Sequence, residues 1–393
     1  MKVAYVIHRY GPDIWGGAEA YCRAFATRLV LLGVDVDVYT TCATDYKTWR
    51  DVLPPGVSTD EGVTVRRFRV AEERAADFDE ISPIVLSAPR RATRELQEAW
   101  MRKQGPLCPE LVEALAAAAP CLDLVIFVTY LYGTTYFGLP VATSRALLHP
   151  TAHDEPPIHL PIFDEMFRLP RGFCFATDEE RDLVERRFGV GERPSAVVGI
   201  GFDPPARFDA DAARARRDLP DRYAICLGRI DPSKGIEHLV SFFGAYYARH
   251  GGVELLVAGE QVMDVPDTPG VRVIGPLDEE DKWDLVAGAE VLVHPSYHES
   301  FAMNLLEAWS VGTPALVNGL STVTVGHCRR SNGGVWYRSY LEFEAALDML
   351  LSDKRIARRL GEQGKAYAET RYRWDDVMRT YLGFLERVSA TFR

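Results

Sequence analysis

Short apolar runs alternate with stretches of helical periodicity along the whole chain, and the series begins twice. Strand-like runs separated by amphipathic helices can cover both faces of a sheet only when the strands run parallel, so the alternation restricts the chain to α/β architecture. In the first half Val3–His8 reads as a strand. A glycine-bearing loop from Gly11 to Gly17 leads into a helix from about Ala18 to Leu32, which Gly33 stops. Val34–Thr40, Val63–Val70, Leu124–Thr129 and Gly172–Ala176 read as further strands, the last capped by Thr177 or Asp178 into a helix ending near Gly189. Gly199-Ile200-Gly201-Phe202-Asp203-Pro204-Pro205 then breaks the pattern, and a charged stretch runs to Asp221. The series restarts with strands Tyr223–Leu227, Glu254–Val257, Val271–Ile274, Val291–His294 and Ala315–Val317, separated by helices from Gly235, over Glu279–Ala287 and after Glu299, with two more at the end. A chain of 393 residues exceeds one ordinary core. Two Rossmann-like domains, with parallel sheets facing a central cleft, are the architecture implied.

Charge narrows the function. Acidic residues outnumber basic ones for a net charge of -11, which argues against nucleic acid as a partner because phosphate neutralisation needs a basic face. No apolar stretch is long enough to span a bilayer. The start, Met1-Lys2-Val3-Ala4-Tyr5-Val6-Ile7, lacks the long apolar region of a signal peptide, and the seven scattered cysteines include no C-x-x-C pair. A cytoplasmic protein with reduced thiols is expected.

Two segments carry chemistry. In His298-Glu299-Ser300-Phe301-Ala302-Met303-Asn304-Leu305-Leu306-Glu307 the two carboxylates are eight residues apart, about 80° around a helix axis. Pro295 bars helix until after it, so Glu299 is expected in a loop at a strand's C-terminal end and Glu307 two turns into the next helix. Acceptor-only groups facing the crevice of a parallel sheet suit a ligand rich in hydroxyls. In Leu227-Gly228-Arg229-Ile230-Asp231-Pro232-Ser233-Lys234-Gly235 a strand ends at a glycine and two cations follow five residues apart. A guanidinium, an ammonium and the amides of a helix start would bind a diphosphate. It is not a P-loop, for G-x-x-x-x-G-K-[ST] does not occur.

Arg229 and Lys234, then Pro295-Ser296-x2-Glu299-Ser300-Phe301-x5-Glu307-Ala308, then Gly312-Thr313-Pro314, resemble the retaining family 4 glycosyltransferases (glycosyl transferases group 1) of GT-B fold. Gly16-Gly17-Ala18-Glu19 and Thr151-Ala152-His153-Asp154 in the first half are similar to that family too. The resemblance implies a metal-independent hexosyltransferase that moves a sugar from a UDP- or GDP-sugar to an acceptor hydroxyl, with retention. It implies an acceptor-binding domain over residues 1–202, a donor-binding domain over 203–370, and a helix over 371–393 returning to the first. Arg229 and Lys234 would hold the diphosphate, Glu307 the ribose and Glu299 a hydroxyl of the donor sugar. The amides of Phe301, Ala302, Met303 and Asn304 would face the sugar and β-phosphate, and Ile274 would lie beside the base. His153 would face the reacting carbon, and Gly16 and Gly17 would allow close approach to the phosphate. Ala302 stands where the family usually has glycine, and Val325–Gly334 stands in place of the family's more common Gly-rich turn plus Glu, so the role of that segment stays open. A nucleotide-sugar epimerase, a phosphorylase and a non-catalytic nucleotide-sugar-binding subunit are the alternatives on this fold, and a phosphorylase would need a cofactor lysine site that is not visible.

Other signals are weaker. Asp35-x-Asp37, Asp77-x-Asp79 and Asp209-x-Asp211 share the D-x-D spacing of metal-dependent transferases, but three occurrences show how readily it arises, and Asp35 and Asp37 are expected on the outward side of a strand. His294 and His298 have zinc-like spacing broken by Pro295, and Gly199-x-Gly201 meets Pro204 where a dinucleotide fingerprint needs glycine. No metal site is expected. His8 and Arg9 suit either an acceptor wall or the end of a strand. Pro89–Lys103 is basic and helical, with Leu96 and Trp100 packed inward, and leaves open peripheral contact with the inner membrane face and a lipid-linked acceptor. Trp15, Tyr130, Tyr132 and Tyr136 could serve an acceptor or the core.

Overall fold

The computed structural model describes residues 1–14 and 16–391; Trp15 lies outside the described residues. The chain divides into two compact units, one of Met1–Gly199 with Met378–Arg393 and one of Ile200–Val377. Each is a sheet with helices between its strands.

The first unit holds β1 (Lys2–Val6), β2 (Asp35–Thr41), β3 (Gly56–Asp60), β4 (Val63–Phe68), β5 (Leu124–Val128), β6 (Ala146–His149), β7 (Gly172–Phe175) and β8 (Ser195–Val197). They form one sheet in the order β3-β4-β2-β1-β5-β6-β7-β8. Every pairing is parallel except β3 with β4, an antiparallel hairpin that the expectation of a purely parallel sheet missed. The hairpin strand β3 is largely exposed and Val57 is its only large apolar residue, so it lacks the apolar run by which a buried strand is read. Apart from Lys2, central β1 and β5 are apolar, and Val3–Val6 and Leu124–Val128 are fully buried, as strands covered on both faces must be.

The second unit holds β9 (Tyr223–Leu227), β10 (Glu254–Ala258), β11 (Val271–Gly275), β12 (Val291–His294), β13 (Ala315–Asn318) and β14 (Gly334–Tyr337), ordered β11-β10-β9-β12-β13-β14 and parallel throughout. Three helices close the sequence rather than the two expected: Tyr340–Ser352, Lys354–Arg371 and Trp374–Thr391. The charged stretch before β9 also folds into a helix, Ala210–Arg217, capped by the Asp209 side chain on Ala212 N.

Side chains of the last helix belong to the first unit's core. Tyr381 Oη lies 2.7 Å from Tyr5 Oη and 3.1 Å from His149 Nε2, and His149 Nδ1 lies 3.0 Å from Tyr21 Oη. Burial holds His149 down to about 3, so the imidazole is neutral and pairs with hydroxyls that can donate or accept.

The basic stretch is not one helix. A 3-10 turn, Pro89–Arg91, is followed by a break, and Thr93 caps a helix from Arg94 to Gln104. Trp100 is buried and Leu96 packs against the core, as the periodicity implies. Asp37 is buried against Arg66 rather than turned outward, correcting the strand alternation read there. No helix among the described residues is long and apolar enough to cross a membrane.

Candidate functional site

In the second unit the winding reverses between β9 and β12, and the loops leaving their carboxyl ends flank the crevice where open α/β sheets bind ligands. Arg229, Lys234 and Glu299 sit on these two loops. After β9, the Asp231 carboxylate accepts from Ser233 N at 2.9 Å, from Ser233 Oγ at 2.6 Å and from Arg229 Nε at 3.2 Å. Burial pushes the Asp231 carboxyl upward, but these donors win and hold it below the usual range. The turn Pro232–Lys234 ends at Gly235, whose φ is +73°. A Cβ on Gly235 would lie 2.6 Å from the Pro295 carbonyl oxygen, so glycine there lets the β9 loop lie against the β12 loop.

That approach brings Lys234 to Glu299. Lys234 Nζ donates to Glu299 Oε1 at 2.7 Å, and His294 Nε2 lies 3.3 Å from the same oxygen. Burial alone would raise the Glu299 carboxyl; the Lys234 ammonium and His294 reverse that and hold it well below the usual range. The site therefore presents an ionised carboxylate beside a partly exposed ammonium.

The helix after β12 begins at Met303 and ends at Ser310, so Glu307 is one turn in rather than two, and Glu299 is too far before it for a helical angle between the acids to apply. The delay has a local cause. Ala302, at the N-cap, has φ +65° and ψ +64°, a left-handed conformation that turns the chain into the helix. Asn304 Nδ2 donates to the Leu227 carbonyl at 2.7 Å and ties the helix start to the end of β9. Phe301 is buried, stacked on Phe202 at 6.2 Å and edge-on to His327 at 5.7 Å. The Val325–Gly334 segment thus gains a structural place: its helix, Thr322–Ser331, sets His327 under Phe301, while His327 Nδ1 lies 3.1 Å from Tyr367 Oη.

Glu307 does not face Glu299's partners. It accepts from Lys282 Nζ at 2.9 Å, and Lys282 lies 2.9 Å from Glu279 as well. Ile274 is half-buried in β11, where it lines a cavity of about 530 Å³ with Arg217, Leu219, Arg272 and Val273.

In the first unit the sheet reverses between β1 and β5. His8 and Arg9 follow β1 and are buried, not open to a ligand-sized wall: His8 Nε2 lies 2.9 Å and Arg9 Nε 2.9 Å from Glu19 Oε1. Burial would raise the Glu19 carboxyl, but His8 and Arg9 bring it down to about 2. Glu19 folds over Gly16, where a Cβ would lie 2.1 Å from its Oε2, so a glycine is required beside this carboxylate. Gly17 opens the first helix, Gly17–Leu31, and a Cβ there would meet nothing. The His8 ring lies 3.9 Å from that of Tyr132, and Tyr130 is buried with its hydroxyl donating to Glu155 at 2.8 Å. Tyr136 is half-buried against the core.

His153 follows β6, with Nδ1 3.4 Å from Glu155 Oε1. Its loop is held from below. Buried Glu180 accepts from Ala152 N and Ala176 N, each at 2.7 Å, and Thr151 adopts φ +49°, rare for a β-branched residue. Burial raises the Glu180 carboxyl to about 8 despite these bonds. Sequence reasoning did not single out Glu180, although Thr177-x-x-Glu180 has capping-box spacing and Thr177 does cap this helix. It also missed Lys282 and gave His294 only a discarded metal role. Among the described residues no cluster of His, Cys, Asp or Glu is arranged to hold a metal ion.

Residues 208–367 match the family model for glycosyl transferases group 1. Over that stretch the chain is similar to the group 1 glycosyl transferases. This glycosyltransferase is 26% identical to a D-inositol 3-phosphate glycosyltransferase of Streptomyces bingchenggensis, over 94% of this chain and 84% of the other. A glycosyltransferase of Methanocaldococcus jannaschii is 22% identical over 96% of each. Among solved structures, sucrose-phosphate synthase from Thermosynechococcus elongatus superposes with a TM-score of 0.74 at 17% identity, covering 99% of both chains. HepE of Anabaena, solved with UDP and glucose, gives 0.69 at 14% identity, over 98% of this chain and 100% of that one. The glycosyltransferase has the GT-B fold, two α/β units each built on a sheet of mainly parallel strands.

Proposed function

We propose that the protein transfers a hexosyl unit from a UDP-sugar to an acceptor hydroxyl with retention at the anomeric carbon and without a metal. The observation that carries this reading is the Lys234–Glu299 pair at the β9/β12 switch point, beside Arg229 and the start of the helix Met303–Ser310. Arg229, Lys234 and the helix-start amides of Phe301 to Asn304 take up charge as the diphosphate leaves. Glu299, kept ionised, accepts from a hydroxyl of the donor sugar, and Glu307 from the ribose once Lys282 shares it. Ile274 lies beside the base. His153 and the Gly16-Gly17 turn serve the reacting carbon and the phosphate from the first unit, which binds the acceptor while the second binds the donor. No enzyme nucleophile is assigned, so catalysis is electrostatic.

UDP is favoured over GDP because HepE and an Escherichia coli protein were solved with UDP and with UDP-2-fluoro glucose respectively. The acceptor is a polyol or glycan of cell-surface biosynthesis, reached in the cytoplasm or at the inner membrane face.

The first test is a thermal-shift screen of UDP, GDP and their sugars, followed by turnover with the donor that binds. Lys234→Ala and Glu299→Gln are each expected to reduce turnover by roughly a hundredfold or more, the scale of losing one charge-stabilising group, with unchanged circular dichroism. Wild-type turnover in either variant sinks the role given to that residue. Tight nucleotide binding without transfer to any acceptor would instead favour a non-catalytic subunit.

A further inference from the structure

A cavity of about 560 Å³ opens in the first unit, bordered by Leu86, Pro89, Arg90, Arg91, Glu155 and His159 among others. That is the size of a small-molecule site. Its charge follows from which side chains already have partners. The acids are engaged: His159 Nε2 lies 2.7 Å from Asp154 Oδ1, and Glu155 accepts from Tyr130 and lies 3.4 Å from His153. The neighbouring cations are matched too, Arg94 with Glu98 and Glu165, and Lys103 with Asp77. Arg90 and Arg91 are exposed, and among the described residues neither has a carboxylate within ion-pair distance. In a chain of net charge -11, two adjacent unmatched guanidiniums make the mouth of this cavity locally positive.

Glu155 connects this mouth to the chemistry. Its carboxylate borders the cavity and touches the His153 imidazole, so a molecule seated against Glu155 lies one side chain away from His153.

We propose that this cavity is the acceptor site and that the acceptor is a phosphorylated polyol or sugar. Arg90 and Arg91 grip the phosphate, whose charge and planar sets of oxygens match paired guanidiniums better than one carboxylate does. Asp154 and Glu155 accept from ring hydroxyls, and Leu86 and Pro89 cover the C–H face. The inference rests on the reading of His153 as the residue facing the transferred sugar. The phosphate belongs either to a soluble sugar phosphate or to a lipid headgroup.

The test needs no donor, so it fails separately from the glycosyltransfer reading. Titration calorimetry at constant ionic strength compares myo-inositol 1-phosphate, glucose 6-phosphate and mannose 6-phosphate with their neutral parents. Co-sedimentation compares vesicles of phosphatidylcholine with vesicles that also carry phosphatidylinositol. At least one phosphate-bearing probe is expected to bind, and its neutral parent at least about tenfold more weakly, the scale of charge-assisted hydrogen bonds. The Arg90→Ala/Arg91→Ala variant is expected to lose that preference while its melting temperature and UDP affinity stay at wild-type values. The Arg90→Lys/Arg91→Lys variant should keep part of it. Binding of the soluble probe points to a free sugar phosphate, and binding to phosphatidylinositol vesicles alone to a headgroup. Equal affinity for phosphorylated and neutral probes, full affinity in the double alanine variant, or no binding to any probe overturns the proposal.

Discussion

Ala302 holds a left-handed backbone at φ +65° and is nearly fully buried, directly before the helix that carries the candidate phosphate-binding amides. An L-residue there is strained by roughly 1–2 kcal/mol relative to glycine, while its methyl regains part of that by burial and by limiting the unfolded chain. The offset means Ala302→Gly should change stability by less than about 1 kcal/mol. Ala302→Val should cost about 2 kcal/mol or more, because branching at Cβ suits this region worst. Urea denaturation of the three proteins decides the matter, and a valine variant as stable as the parent would remove strain from the account. The family pattern to which the chain is similar has glycine at this position. The backbone angle of Ala302 makes the substitution a matter of conformation first.

Between elements, the decisive contact is the one at Gly235, where the β9 loop lies on the β12 loop. Gly235→Ala places a methyl 2.6 Å from the Pro295 oxygen at a positive φ, so the two loops must separate. Stability should fall by roughly 1–3 kcal/mol, and Lys234 should lose its grip on Glu299. UDP affinity measured by calorimetry should drop even though no side chain proposed to touch the ligand is substituted. Unchanged affinity would mean that the loops need not touch to build the site. The partners at this scale explain what could and could not be read in one dimension. Arg229, Lys234 and Glu299 were legible because each stands at a strand's carboxyl end, a position the alternating pattern marks. The Lys282–Glu307 pair spans 25 residues and two helices, and nothing in either helix's periodicity points at the other. His294 is the last residue of β12 and meets Glu299 only because the loop folds back. Hairpin strand β3 and strand β8 escaped notice for a related reason: edge strands carry no continuous apolar run.

Across the whole molecule, each unit holds a buried histidine that burial lowers to about 3, His149 in the first and His327 in the second. Their folded values lie below the unfolded one near 6.5, so the folded protein resists protonation that the unfolded chain accepts. Stability is therefore complete above about pH 6.5 and declines as pH falls toward 3. At pH 5 each histidine should have cost about 2 kcal/mol relative to pH 7, from the unfolded-state protonation alone. His149→Gln keeps a hydrogen-bonding side chain between Tyr21 and Tyr381 and cannot titrate. Its unfolding free energy should lose about 2 kcal/mol less between pH 7 and pH 5 than that of the parent. An identical pH slope in the two proteins would show that His149 takes up no extra proton on unfolding.

His149 and Tyr5 wait for Tyr381, which is joined to the first unit by a helix that starts at Trp374, after the whole of the second sheet has been spelled out. The order of synthesis and the order of completion therefore differ. A ribosome moving at about 5–20 residues per second needs roughly 10–40 s to travel from the end of the first stretch to this helix. Through that interval the place that the Tyr381 hydroxyl fills, between Tyr5 and His149, stays open to water. The unit translated first cannot close until the unit translated second has left the ribosome.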